Sequence, residues 1–452
     1  MVRKIVLSLV SGTLVVAGCA SVAGVSDYAV DPCFGGTCTD GPVGSDGPSE
    51  SAPPIDGQVP DQDSGVDAPV DAPPPPSPGK SIVTLSGTGV AVGKVAIATL
   101  VARDDADVAV PRTGAKVTFK AAGGTSVVTF GPTVDRGDGT YHATVTGVTE
   151  GTKIGVSAVI DGAPLTTTPA SLRVVNPVTT GLTLSLDAAN ADRAGNFGGK
   201  GCAAAGLVQW TDLTASSFAG ALSGFADPCG ATSGWGGTGA PENPFRLTFD
   251  GVSDHVDFGA VNALQKYTVL AWIRTTGLGF AGTSGTGGLT NVVPILSKGT
   301  AEGETDAIDI NYYLGITAAG LLASDYEANP GSGTAPLVGA TALVANTWTM
   351  VGTTLDASAP TRALWLNGAS DGTSVPTLPP SGAASAILTI GGARTTGNAA
   401  AACPGAAGST GCGRFKGDIA VVLTYDHVLT QLEIEKNCHA YSSRFGMLTC
   451  PN

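Results

Sequence analysis

After residue 80 the chain advances in short runs whose apolar side chains recur at every second position, with turn-forming residues between them. Val95, Ile97, Thr99 and Val101 share one side of such a run, and Val117 and Phe119 share a side of another. A period of two sends alternate side chains to opposite faces of a strand. Glycine fills 65 of the 452 positions and charged residues only 13%, so turn-formers are plentiful and the exposed charges of long surface helices are scarce. Together these features predict an all-β protein, long enough for two or three domains. The net charge of −14 and the lack of any Lys/Arg cluster argue against a basic face for nucleic acid or anionic head groups.

At the start, Arg3 and Lys4 precede an apolar stretch from Ile5 to Ala17 that is too short to span a bilayer, and it runs into Val16-Ala17-Gly18-Cys19. This arrangement resembles a bacterial lipoprotein signal with its lipobox. The resemblance implies that residues 1–18 are removed and that Cys19 becomes an acylated first residue. Each buried acyl CH₂ contributes about 0.8 kcal/mol, so several chains hold a domain on a membrane without a transmembrane helix. Ala20 stands where an aspartate marks inner-membrane retention in some enteric bacteria. The expectation is therefore an exported protein, lipid-anchored to the cell envelope at the outer membrane.

Residues 19–79 are poor in aromatics and rich in Pro, Gly, Ser and Asp, with Pro73-Pro74-Pro75-Pro76 near the end. Such a segment buries too little apolar area to offset its ordering entropy and reads as a disordered acidic linker. Asp61, Asp63 and Asp67 space carboxylates as a calcium loop does, but no closing Glu or flanking helix follows. Apart from Cys19 there are eight cysteines, an even number suited to disulfides in an exported chain. They fall in neighbouring couples: Cys33 with Cys38, Cys202 with Cys229, Cys403 with Cys412, and Cys438 with Cys450. Eight cysteines allow 105 connectivities, so sequential pairing is an expectation rather than a deduction. No Cys-x-x-Cys occurs and the four histidines are scattered, which weakens any zinc reading.

Residues 80–175 hold the first set of strands. Gly137-Asp138-Gly139-Thr140-Tyr141 is a turn entering a strand, and Gly151-Thr152-Lys153-Ile154-Gly155-Val156 enters another. These blocks, without cysteine or tryptophan, resemble the immunoglobulin-like β-sandwich repeats of invasin and intimin. The resemblance implies a spacer or adhesion module. Arg136-Gly137-Asp138 lies in the same turn, where the turn itself explains both Gly137 and Asp138.

Residues 176–452 are sized for one larger sandwich. Tyr267 to Ile273 is apolar on both faces, as a covered central strand should be, and Asn367-Gly368 is a hairpin turn signal. Ile419, Val421, Leu423 and Tyr425 alternate in a further strand, after which Thr430-x-x-Glu433 has the form of a capping box. Leu184 to Ala188, Trp210 to Leu213, Phe249-Asp250-Gly251, Ala271 to Arg274 and Ile295 to Gly299 begin a series of blocks. Leu364 to Gly368, Ile390-Gly391-Gly392 and Phe415 to Ile419 continue it. In this order they resemble the laminin-G-like, concanavalin A-like jelly-roll family. The resemblance implies two curved antiparallel sheets and, in many members, a glycan or protein bound at a rim or concave face.

The resemblance also implies a Ca²⁺ at the rim, for which Asp250, Asp254, Asp257 and Asp418 are the candidate oxygen ligands; an Asx turn is the competing account of Asp250 and Asp254. Trp235, Tyr312, Tyr313 and Tyr326 lie in or beside Gly-rich loops and are the candidate ligand-binding aromatics, whereas Trp210, Trp272, Trp348 and Trp365 read as core. Catalysis finds little support. Glu304-Thr305-Asp306-Ala307-Ile308-Asp309 resembles the Glu-x-Asp-x-x-Glu strand of laminarinase-like glycosidases but has Asp309 where that family has Glu. No Gly-x-Ser-x-Gly and no ordered Ser, His and Asp set marks a nucleophilic triad. The reading is a non-enzymatic, lipid-anchored binding or adhesion protein, with a glycosidase using Glu304 and Asp306 as the alternative and a structural envelope protein as a third.

Overall fold

The computed structural model describes residues 74–111, 114–195, 208–225, 232–301, 309–328, 333–382, 385–394, 413–446 and 449–451. The expected signal, Cys19, most of the linker, Glu304, Asp306, Cys33, Cys38, Cys202, Cys229, Cys403 and Cys412 lie outside these residues. All described residues fall within one unit, Pro69–Asn452. The fold is all-β, as the alternation predicts.

Two five-stranded sheets make the first sandwich. One runs Ile82–Leu85, Val95–Val101, Thr140–Thr149, Val127–Phe130, with Val134–Asp135 also on Thr140–Thr149, and the other Gly89–Val90, Ala170–Val174, Ile154–Ile160, Val117–Ala122, with Ala163–Pro164 also on Ile154–Ile160. Their shared core is built on Ala96, Ala98 and Leu100 with Phe119, Tyr141, Val145, Val156 and Leu172. Val95, Ile97, Thr99 and Val101 do share a face, but it is the outer one, and Val95 is 45% exposed. The inner face carries alanines because Phe119 and Tyr141 already fill the space between the sheets. In the Arg136–Asp138 turn, the Asp138 carboxylate accepts from the Thr140 amide (2.9 Å) and hydroxyl (2.6 Å).

The second sandwich is larger. Its eight-stranded sheet runs Gly234–Gly236, Arg246–Asp250, Lys416–Tyr425, Tyr267–Thr275, Trp348–Asp356, Thr361–Leu366, Ala369–Ser374, with Leu182–Asp187 beside Lys416–Tyr425. Its nine-stranded sheet runs Gln209–Thr211, Ala219–Ser223, His255–Asp257, Leu388–Ile390, Thr290–Lys298, Tyr312–Thr317, Leu321–Asp325, Leu337–Ala342, with Gly282–Thr283 at Thr290–Lys298. Val256, Val269, Ala271, Ile273, Leu296, Leu314 and Val422 meet between the sheets. Trp210 packs edge-on against Trp235 there, with ring centres 5.4 Å apart.

The described residues contain one α-helix, Gln431–Ser442, and its start is written in the sequence. Thr430 Oγ1 accepts from the Glu433 amide, and the Glu433 carboxylate accepts from the Thr430 amide at 2.9 Å, so two otherwise unpaired donors are satisfied reciprocally. Ile434 and Cys438 face the outer side of the eight-stranded sheet, against Leu270, Trp272, Met350 and Leu423. Cys438 is bonded to Cys450 with Cα atoms 5.8 Å apart, the last of the expected sequential pairs.

The same helix joins the two sandwiches. Ser442 Oγ accepts from the Gly89 amide (2.9 Å) and donates to the Gly89 carbonyl (3.1 Å). A Cβ on Gly89 would stand 2.6 Å from that of His439, closer than side chains approach, so only glycine lets the helix lie flat on Gly89–Val90. Lys436 pairs with Glu150 at 2.6 Å, and Ala91, Val175 and Ala440 form a small apolar seam.

Candidate functional site

The two sheets of the second sandwich turn different surfaces outward. The eight-stranded sheet is covered by the helix. On the nine-stranded sheet, Val256, Leu388 and Ile390 point into the core, so the alternation sends His255, Asp257 and Thr389 to the outer side. The register sets Thr389 opposite Asp257. Gly391 then turns the chain over Phe249, where any Cβ would enter the ring at 2.3 Å. That turn brings Arg394 back above the strand, beside Arg414 of the short Gly413–Arg414 strand.

Asp257 is the hub of this polar network. Its carboxylate accepts from Thr389 Oγ1 at 2.8 Å and from Arg394 Nη2, and lies 3.3 Å from His255 Nε2. Arg394 Nε donates to Thr389 Oγ1 at 3.3 Å. His255 Nδ1 sits 2.7 Å from the Ser253 carbonyl, which can only accept, so Nδ1 carries a proton and Nε2 is the nitrogen turned to Asp257. Arg414 Nη1 donates to the carbonyls of Ala393 and Gly413. Burial pushes the Asp257 carboxyl up, but the His255 and Arg394 contacts outweigh it and hold the group below the usual carboxylate range. The site thus has a fixed carboxylate acceptor flanked by guanidinium donors and a hydroxyl. These groups bond chiefly to one another, and His255, Thr389, Arg394 and Arg414 are buried.

The four aspartates expected to hold calcium do not converge. Asp250 Oδ1 accepts from the amides of Val252 (2.7 Å), Ser253 (3.1 Å) and Asp254 (3.3 Å), and Asp254 Oδ2 accepts from the Asp250 amide (2.8 Å). This is the Asx turn that competed with calcium. Burial pushes the Asp254 carboxyl up to about 6, helped by the Asp250 charge against the pull of the Asp250 amide. Asp257 belongs to the network above. Asp418 faces outward from the other sheet, where Arg274 (2.6 Å), Arg246 (3.2 Å) and Thr248 (2.5 Å) hold it. Among the described residues no three His, Cys, Asp or Glu side chains are grouped to hold a metal ion.

The aromatic expectation is corrected as well. Trp235, Tyr312, Tyr313 and Tyr326 are all buried. Tyr312 packs at a tilt against Tyr267 (ring centres 5.4 Å apart) between the sheets, and its hydroxyl donates to the Asn262 carbonyl at 3.1 Å. Tyr313 lies on the outer side beneath Leu289, Ala301 and Ile310. Tyr326 has Arg362 over its ring at 5.1 Å and donates to the Leu378 carbonyl. Nearby glycines signalled loops, yet Tyr312–Thr317 is an interior strand whose two sides are both covered. Trp210, Trp272, Trp348 and Trp365 are buried, as core residues should be. His255, Thr389, Arg394 and Arg414 are the functional candidates the sequence reading missed. Their only signal is His255-x-Asp257 on one strand face and the arginine after Gly391-Gly392.

Residues 250–435 match the family model of the concanavalin A-like lectin/glucanases superfamily. No curated protein matches the sequence. Among solved structures the chain is similar to domain 4 of an extracellular GH43 arabinanase from Geobacillus stearothermophilus in complex with arabinotriose. The identity is 13%, covering 57% of this chain and 98% of that one, with a TM-score of 0.35. It is also similar to the CBM40 of Ruminococcus gnavus IT-sialidase bound to α2,3-sialyllactose, at 20% identity over 38% of this chain and 81% of that one, TM-score 0.29. A SAP-like pentraxin from Limulus polyphemus matches at 15% identity over 42% and 75%, TM-score 0.26. The second sandwich is, by its sheets and by its family match, a concanavalin A-like domain.

Proposed function

We propose that the protein is a non-catalytic glycan-binding protein of the bacterial envelope. Acyl chains on Cys19 anchor it, the acidic segment of residues 19–79 tethers it, the invasin-like first sandwich spaces it, and the second sandwich presents the ligand face. The observation that supports this reading is the contrast between the two outer sheet faces: one is spent on the helix, and the other carries the Asp257 network. Glycoside hydrolysis by the usual route needs two carboxyl groups flanking the bond, and the network is built around one.

The test is a glycan array with the chain of residues 20–452, repeated with Arg394→Gln. Retention of intact glycan by the parent chain and its loss in the variant is the expected result. Release of shortened sugars, abolished by Glu304→Gln, would instead establish the glycosidase. A protein partner is the reading left if no glycan is retained.

A further inference from the structure

A cleft lies between the two sandwiches, independent of the Asp257 network. It has a volume of about 240 Å³ and is lined by Thr152, Lys153, Arg173 and His439. In the first sandwich, Ala170–Val174 runs antiparallel to Ile154–Ile160 with Leu172 opposite Ile154, and continuing that register brings Arg173 opposite Lys153. Like charges directly opposite on neighbouring strands are destabilising. Neither is relieved by an ion pair with a described carboxylate: Arg173 Nε donates only to the Gly151 carbonyl at 3.3 Å, and the nearby Glu150 is taken by Lys436.

The floor is equally fixed. His439 is 3% exposed, with Nε2 2.8 Å from the Pro451 carbonyl and Nδ1 3.1 Å from Thr88 Oγ1. Burial first, and then the Arg173 and Lys153 charges, hold its imidazole below the ordinary value, against the upward pull of the Pro451 carbonyl and the Glu435 carboxylate. In a chain of net charge −14, Lys153 and Arg173 bring two cations to one cleft, with the Glu435 carboxylate also acting on its His439 floor.

We propose that this cleft binds a compact oxyanion, a sulfate, phosphate or carboxylate group, between Lys153 and Arg173 above the His439 ring. The guanidinium offers a planar fork that grips two oxygens, and the ammonium a point charge on the third side. The cleft is larger than a bare oxyanion, so the group can be a free ion or a substituent on an acidic sugar.

The test titrates the chain of residues 20–452 with sodium sulfate by calorimetry, against sodium chloride at matched ionic strength. The expected result is saturable one-to-one binding, weakened about tenfold in Lys153→Gln and in Arg173→Gln, the loss that goes with one charge-assisted hydrogen bond. Lys153 is exposed, so its variant keeps the fold. Lys153→Gln, which removes one of two opposed charges, also raises the melting temperature in chloride, which loss of a purely structural lysine would not do. Absence of saturable binding overturns the proposal, as do variants that bind sulfate like the parent, or a Lys153→Gln variant that melts lower in chloride. A sulfated disaccharide that binds tighter than inorganic sulfate assigns the site to acidic glycans, and equal affinity assigns it to the free ion. Arg394→Gln leaves sulfate binding unchanged, so failure here and failure of the glycan face are read separately.

Discussion

The two outer faces of the concanavalin A-like domain are built from the same strand chemistry but put to opposite uses. On the eight-stranded sheet the outward positions are Leu270, Trp272, Met350 and Leu423, and the C-terminal helix seals them with Ile434 and Cys438, joined by Phe445 just beyond it. On the nine-stranded sheet the outward positions near its middle are His255, Asp257, Thr389 and Ser297, knit by hydrogen bonds. An apolar face costs free energy unless covered, so the helix, the disulfide and the seam with the first sandwich all sit on that side. The polar face needs no such cover, because its own hydrogen bonds satisfy it, with His255, Thr389 and Ser297 buried within the network. The difference teaches that the apolar face tied to stability and the self-satisfied polar network lie on opposite sides of the sandwich.

That separation makes graded predictions. The largest effect belongs to the covered face: Trp272→Ala removes a side chain 4.6 Å from the Tyr441 ring and should cost about 3–5 kcal/mol in urea unfolding. A cost below about 1 kcal/mol would break the assignment of this face to stability. Removing the Cys438–Cys450 bond by paired serine substitutions should cost about 2–3 kcal/mol, since it closes a loop of sequence separation 12.

Next comes a pH effect at the base of the polar face. Asp254 holds its proton in the folded state up to about pH 6, while the unfolded chain releases it near 3.8. Its contribution is therefore complete below pH 3.8 and is lost as the pH rises to about 6. Asp254→Asn should flatten the stability profile across that window, by about 1–2 kcal/mol, as read from melting temperatures between pH 3.5 and 7. Thr389→Val, which removes the Asp257 and Arg394 contacts, should cost about 1 kcal/mol. The smallest effect is expected at Leu432, an exposed helix residue, where Leu432→Ser should stay within about 0.5 kcal/mol.

Much of the scaffold was legible in the sequence, and the reasons are local. Tyr267 to Ile273 reads as a strand covered on both sides and lies at the middle of its sheet. Asn367-Gly368 forms the turn between Thr361–Leu366 and Ala369–Ser374, and the Thr430–Glu433 capping box opens the helix. Each depends on neighbours within a few positions. The burial of Ala96 and Ala98 rather than Val95 and Ile97 was not legible, because volume filled by distant Phe119 and Tyr141 decides which face turns inward. The candidate site was hidden for the same reason. Asp257, Thr389 and Arg394 are separated by more than 130 positions from one end to the other, and only the strand order brings them together. Tyr312 and Tyr313 misled because glycines on either side signal a loop, while β-propensity and the strand pairing bury both rings.

The central claim is that ligand is held on the nine-stranded face and not on the helix-covered one. Glycan retention by the chain of residues 20–452 should therefore be compared among the parent, Thr389→Val and Leu432→Ser, all confirmed folded by their melting curves. The account predicts that Thr389→Val, which strips Asp257 and Arg394 of their buried partner, loses at least about tenfold in affinity because those groups are no longer held in place, while Leu432→Ser binds as the parent does. Undiminished binding by Thr389→Val together with loss in Leu432→Ser would place the ligand on the opposite face and contradict it.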